Sequence, residues 1–334
     1  MFEALNGAPR LLLRQELTPL QTDRFQPTGF ADLGAAVYDA PGSKRMLLVE
    51  SAQSVANRLE ATCLEGFGPD ISPELVGLPY VRVKLTGPVE TLTSSLIEAH
   101  RINSPFIITN DAFRTPFLER SGYVKGKPID WKRIAGALFH YDPNSLLHGV
   151  FMANLEDGRV RLPRALTGFI EASGVQEAAS GGVKNNPLDP SGRIRAVNYD
   201  QNVYGNVPYL RTEYTAESIQ ACFNLDLALI DGYGLEREAE ELLIALALYK
   251  IRRFLRTGLR LRTACDFDCE GELAVERPTG FSVPAECDLL QHLQECIRIC
   301  TDKKTFASPA VTELVTNCVL KADDREKADK ATAR

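Results

Sequence analysis

"KRMLLVESAQSVANRLE" (Lys44–Glu60) is the stretch from which the fold can be read outward. Its first seven residues hold a short apolar run that reads as a strand. The period then changes. Ala52, Ala56, Leu59 and Cys63 recur at i, i+4, i+7 and i+11, an apolar helix stripe facing a core. Ser51 stands where a side chain can cap the helix by accepting from its free amides. Gln53, Ser54, Asn57 and Arg58 lie on the other side as two i, i+4 pairs, donors that suit anions without much net charge.

Outward from this unit, "RLLLRQELTPLQ" reads as an earlier strand that Pro19 ends or puts on an edge. "LPYVRVKL" is a later strand, "TLTSSLIEAHRI" a short helix, and "NSPFIITNDAFRTPF" the start of a long irregular region. "VPYLRTEYT" and "SIQACFNLDLALI" read as paired strands, the second alternating Phe223, Leu225, Leu227 and Leu229 with polar or small residues. Glu236–Thr257 is the most secure helix, with acids first, bases last and Gly258 after it. In "LRLRTAC", Leu259, Leu261 and Thr263 take one strand face, Arg260 and Arg262 the other. A helix over Ala285–Cys300 follows, and the charged tail at 321–334 reads as a flexible end. This order is not alternating βαβ. It predicts an α+β sheet with helices on one face and large excursions from its edges.

The chain has 334 residues, 44% hydrophobic and 25% charged, which is ordinary for a globular protein with a sizeable core. No run reaches the length of a membrane span, and the first residues show no basic leader before an apolar run, so a cytoplasmic protein with reduced cysteines is expected. The net charge of -6 argues against general nucleic-acid affinity but leaves room for a local basic groove. Such unevenness exists: every charged residue from Lys250 to Arg262 is basic.

Candidate chemistry is sparse. No G-x-S-x-G elbow, HExxH, G-x-G-x-x-G or Walker loop occurs. His292, Cys296 and Cys300 share a helical spacing that suggests zinc, but Leu289, Leu293, Cys296 and Cys300 also make an apolar stripe, and no metal or other cofactor is assigned. His100 and His148 have no nucleophile beside them. Lys184 and Asn185 in "SGGVKNN" suit a phosphate, with backbone amides and a lysine among glycines. Arg24, Phe25 and Gln26 place a base beside an aromatic, which suits a backbone phosphate and a stacked base.

"RFQPTGFADLGAA", "LVESAQSVANRLE", "NSPFI", "DPNSLLHGVF", "ASGGVKNN" and "YKIRRFLRTGLRLRTACD" resemble the backbone subunit of the type I, subtype G (formerly U) CRISPR effector complex, within the RAMP superfamily. The resemblance runs from about Leu11 to Asp268. It implies one RAMP-type domain over 1–320. An RRM- or ferredoxin-like palm would carry finger and thumb insertions, with 158–208 the candidate thumb. It implies no enzyme activity, and copies that stack head to tail along a guide RNA (crRNA) and present it to a target DNA strand. A large subunit, a fused cap-and-processing subunit and a recruited helicase-nuclease are the implied partners; no membrane is. Ser51, Gln53, Asn57 and Arg58 would hold the guide backbone, with help from Arg24, Phe25, Gln26, Lys184, Asn185, Arg260 and Arg262. The alternative is a metal-dependent endoribonuclease using a loop aspartate, here Asp32 in "GFADLG".

Overall fold

The computed structural model describes residues 1–30, 32–194 and 205–319. Leu11–Pro19 (β1) comes first; Val37–Ala40 (β2) and Lys44–Glu50 (β3) make a hairpin, and β3 runs into Ala52–Ala61 (α1). Tyr80–Thr86 (β4), Thr91–Ser94 (β5), Pro105–Ile108 (α2), Asp111–Ser121 (α3), Trp131–Tyr141 (α4) and Pro143–His148 (α5) follow. Next come Leu166–Ser173 (β6), Gln176–Lys184 (β7), Val207–Thr215 (β8), Ser218–Leu225 (β9), Leu227–Gly232 (α6) and Arg237–Thr257 (α7). Arg260–Arg262 (β10), Cys265–Arg277 (β11), Glu286–Asp302 (α8) and Val311–Asn317 (β12) complete the order.

Seven strands form one antiparallel sheet in the order β10-β11-β1-β9-β6-β3-β2. Within it, β1, α1, β6, β9, α7 and β11 make a βαββαβ unit with spatial strand order 4-1-3-2, the ferredoxin-like arrangement. The strict period of two explains how it packs. Leu11, Leu13 and Leu17 of β1, and Ile219, Ala221, Phe223 and Leu225 of β9, point to one face and are buried. Val55, Ala56 and Leu59 of α1 belong to the same core, and the Phe223 ring meets Phe254 of α7 edge-on at 6.3 Å. Each fully buried Leu or Phe contributes roughly 1.5–3 kcal/mol. Gly168 of β6 permits the close approach of α1: a Cβ there would lie 2.7 Å from the Phe223 ring and 3.0 Å from Val55.

The opposite sheet face is half-exposed and polar. Gln220 donates to Glu16 at 2.7 Å, Arg14 pairs with Glu276, and Tyr38 donates to Glu171 at 2.9 Å. Carboxylates outnumber bases there, and each named one already has a partner.

Between α1 and β6 the chain builds a second unit, in which α2–α5 accompany a small sheet ordered β12-β4-β5. Its β12–β4 pair is parallel, so the C-terminal part of the chain returns to close the insertion. β7 and β8 form a nine-rung hairpin extending from β6 and β9.

Several expectations are corrected. Thr91–Ile102, expected as a helix, starts with β5, because Thr91, Thr93 and Ser94 pair with β4. The region from 103, expected to be irregular, holds four helices; Pro105 and Pro143 sit at the first helical turn, where a missing N–H costs nothing. The segments 207–215 and 218–225 are not partners: β8 pairs with β7, and β9 with β1 and β6. The alternation stops at Leu225, where Asp226 accepts from the Leu229 amide and caps α6. The strand at Leu166–Ser173 lies in the main sheet, although it falls inside the expected 158–208 excursion. The expected tail at 321–334 lies outside the described residues.

Candidate nucleic-acid interface

Glu50 ends β3 with its side chain fully buried, and two arginines converge on it. Arg58 Nε donates to Glu50 Oε1 at 3.0 Å, and Arg262 pairs with Glu50 Oε2. Ser54 Oγ also donates to this carboxylate. The guanidinium groups are held further by backbone: Arg58 donates to the Leu261 C=O at 2.6 Å, and Arg262 to the Gln26 C=O at 3.0 Å. Burial pulls the Arg58 guanidinium below its usual range. Removing one partner of such a buried pair strands a charge away from water. Arg58 and Arg262 therefore tie α1, β3 and β10 together. These side chains are expected to lie open to a guide backbone; the structure shows each partly buried and paired with this carboxylate. Ser51 also works structurally, its Oγ accepting the Ser54 amide at 3.3 Å as the N-cap.

The outward face of α1 keeps Gln53 and Asn57, both exposed, with Gln53 Nε2 donating to Asn57 Oδ1 at 3.0 Å. Arg164, just before β6, joins them by donating to Gln53 Oε1 and to the Ala52 C=O at 3.3 Å. Arg164 also lines a cleft of ≈ 590 Å³ with Arg161, Phe151, Asn154 and His100. The Arg161 guanidinium lies 4.2 Å from the Phe151 ring centroid, and that ring is 45% exposed. Neither Arg161 nor Arg164 has a carboxylate partner among the described residues. Cations free to meet phosphate beside an open aromatic ring are the groups that hold a single strand by its backbone and stack one base. The sequence signal for this patch is the run Arg159, Arg161, Arg164 around Pro163, which falls inside the expected 158–208 excursion.

The remaining expected residues divide. Arg24, half-exposed, pairs with the buried Glu213 at 3.4 Å, and with Arg260 and Arg262 it surrounds a cleft of ≈ 430 Å³. Arg260 is exposed and has no ion pair among the described residues. Phe25 is corrected: it is 1% exposed and packed edge-on against Phe267 at 5.6 Å, so no base can stack on it. Gln26 acts through its backbone, donating to the Ala264 C=O at 2.7 Å. Lys184 and Asn185 are exposed, but Lys184 occupies the distal rung of the β7–β8 hairpin, eight residues and roughly 25 Å from its base. Asp32 is exposed in the turn between Gly29–Phe30 and Gly34–Ala35 and belongs to no group of three metal-ligating side chains among the described residues. His148 is buried, accepts from the buried Lys250 at 2.7 Å, and is kept neutral by burial and by that lysine.

The fold defines an α+β protein on a ferredoxin-like platform with large insertions. Residues 11–177, half of the chain, match the family described as CRISPR-associated protein GSU0053, and the chain belongs to that family. Among solved structures, a chain of a CRISPR RNA-guided surveillance complex in a pre-nicking state is 14% identical, with a TM-score of 0.39 over 97% of this chain and 99% of that one. A second CRISPR RNA-guided surveillance complex gives 12% identity and a TM-score of 0.35 over 88% and 84%. Csc2 of Thermofilum pendens gives 9% and 0.28 over 89% and 77%. A curated thioredoxin reductase of Streptomyces clavuligerus is 27% identical over 142 residues, 36% of this chain and 44% of that protein, so the chain spans under half the length of that relative. No described helix is long and apolar enough to cross a membrane.

Proposed function

We propose that the protein is a guide-RNA-binding backbone subunit of a type I, subtype G CRISPR effector complex. Several copies stack head to tail along the crRNA and present it to the target DNA strand. The large subunit, a fused cap-and-processing subunit and a recruited helicase-nuclease complete the assembly in the cytoplasm. The β7–β8 hairpin, within 176–215, serves as the thumb. One observation carries the reading: Arg161 and the half-buried Arg164, neither in an ion pair among the described residues, stand with the exposed Phe151 ring beside the Gln53–Asn57 face of α1. These groups read phosphate and ring faces rather than base edges, as a subunit serving any guide sequence requires. The acidic sheet face on the other side is less favourable to phosphate, which supports this side as the RNA-binding surface.

Titrating labelled single-stranded RNAs of unrelated sequence at several salt concentrations tests the proposal. Affinity should fall steeply with salt and change little with sequence. Salt-independent binding, or strong sequence preference, would count against it. The subunit is not a nuclease in this reading: the assembled complex should leave complementary RNA intact in divalent metal. Regular cuts lost in Asp32→Ala would favour the endoribonuclease instead.

A further inference from the structure

Helices α7 and α8 pack side by side, and at one end of their seam three different donors converge. His292 Nε2 lies 3.3 Å from Glu241 Oε2 and 3.7 Å from Cys296 Sγ. All three ligand atoms fall within 4.8 Å of one another. Neighbouring donors on a tetrahedral ion with bonds of about 2.0–2.3 Å stand roughly 3.3–3.8 Å apart. His292 and Cys296 are one helical turn apart on α8, which aims both at α7. The surroundings already orient the donors. Arg237 Nε donates to the other Glu241 oxygen at 3.0 Å, leaving Oε2 turned to the histidine. The Phe2 ring meets the His292 ring edge-on at 5.5 Å and fixes its plane. Partners of this kind are what hold metal ligands in place.

From this geometry we infer that Glu241, His292 and Cys296 form a zinc site that fastens α8 to α7, with water in the fourth position. The mixed O, N and S donor set favours a borderline-soft ion over magnesium or calcium. Sequence spacing alone pairs His292 with Cys296 and Cys300, but Glu241 supplies the third ligand from another helix and Cys300 is not in the cluster. None of its three ligands is among the residues proposed to contact RNA.

The full chain, stripped with a chelator and dialysed, should retain one equivalent of added zinc by mass spectrometry of metals. Cobalt in its place should give a thiolate-to-metal charge-transfer band. Cys296→Ser should abolish that band and lower zinc affinity at least tenfold. Cys296 is buried, so Glu241→Gln, at a half-exposed position, gives a second reading: at least a tenfold loss of affinity with an unchanged far-ultraviolet circular dichroism spectrum. Cys287→Ser, which removes the exposed thiol on the same helix, should leave both signals intact. No stoichiometric zinc in the wild type, or a cobalt band that survives Cys296→Ser and vanishes with Cys287→Ser, would overturn the assignment.

Discussion

Arg58 and Arg164 both reach toward helix α1, one from the helix itself and one from beyond it, yet they do opposite work. Arg58 closes on Glu50 with Arg262, and that carboxylate is sealed from water. Arg164 rests on neutral oxygens of Gln53 and Ala52 and stays available to an anion. The difference lies in what each guanidinium meets. A buried carboxylate commits an arginine to folding, because the alternative is an unpaired charge in a low dielectric. A neutral amide leaves its charge unneutralised, and that charge is what attracts phosphate.

The largest effect should come from breaking the committed set. Arg58→Ala or Arg262→Ala leaves Glu50 buried beside one guanidinium and should lower stability by about 3–5 kcal/mol, read from denaturant unfolding. An Arg58→Ala protein that melts like the wild type would mean the Glu50 cluster is not structural. A second test contrasts Glu50 with Asp142, a fully buried carboxylate held by the Ser145 hydroxyl at 2.9 Å and the Asn144 amide at 3.1 Å. Burial pushes Asp142 up to about 6 from an ordinary 3.8. The folded state thus favours the protonated acid, and this stabilisation is full below the ordinary value and lost as pH rises through about 6. Asp142→Asn keeps a capping oxygen and should flatten stability between about pH 4 and 6, a change on the order of 3 kcal/mol. An unaltered pH profile would remove Asp142 as the source.

The split between the two kinds of arginine could not be read from the sequence. Strand β3, helix α1 and the helices α7 and α8 were legible, because period and capping residues are local signals. Strand partners were not: β8 and β9 are separated by only Ala216 and Glu217, yet each pairs with another strand, and that choice is made by the sheet as a whole. Helices α2 and α5 were hidden by prolines that in fact start helices, and α3 by Pro116, which lies inside it. On α1 the helical stripe placed Gln53 and Asn57 outward correctly. Arg58 lies on the same side, but its long chain bends back to a carboxylate eight residues earlier, which no spacing rule reports. Phe25 read as a stacking ring because aromatic beside basic is a surface pattern. Its burial against Phe267 depends on a contact 242 residues away in sequence, 267 − 25 = 242.

Smaller effects belong to the free set. Phe151→Ala should cost about 1–3 kcal/mol in RNA affinity if a base stacks on the ring, with stability within about 0.5 kcal/mol of wild type. An RNA titration and a melting curve on the same preparation check both. Equal affinity for the variant would show that the Phe151 ring serves only Arg161.

The most direct test of the account is the salt slope of the double variant Arg161→Ala/Arg164→Ala. Log affinity for an unstructured single-stranded RNA is measured against log salt concentration, beside a melting curve. With two fewer phosphates neutralised, the slope should become shallower by about 1.4, and the melting temperature should hold. A slope unchanged from wild type, with the decrease occurring instead in an Arg24→Ala/Arg260→Ala protein, would place the RNA in the other cleft and contradict the account.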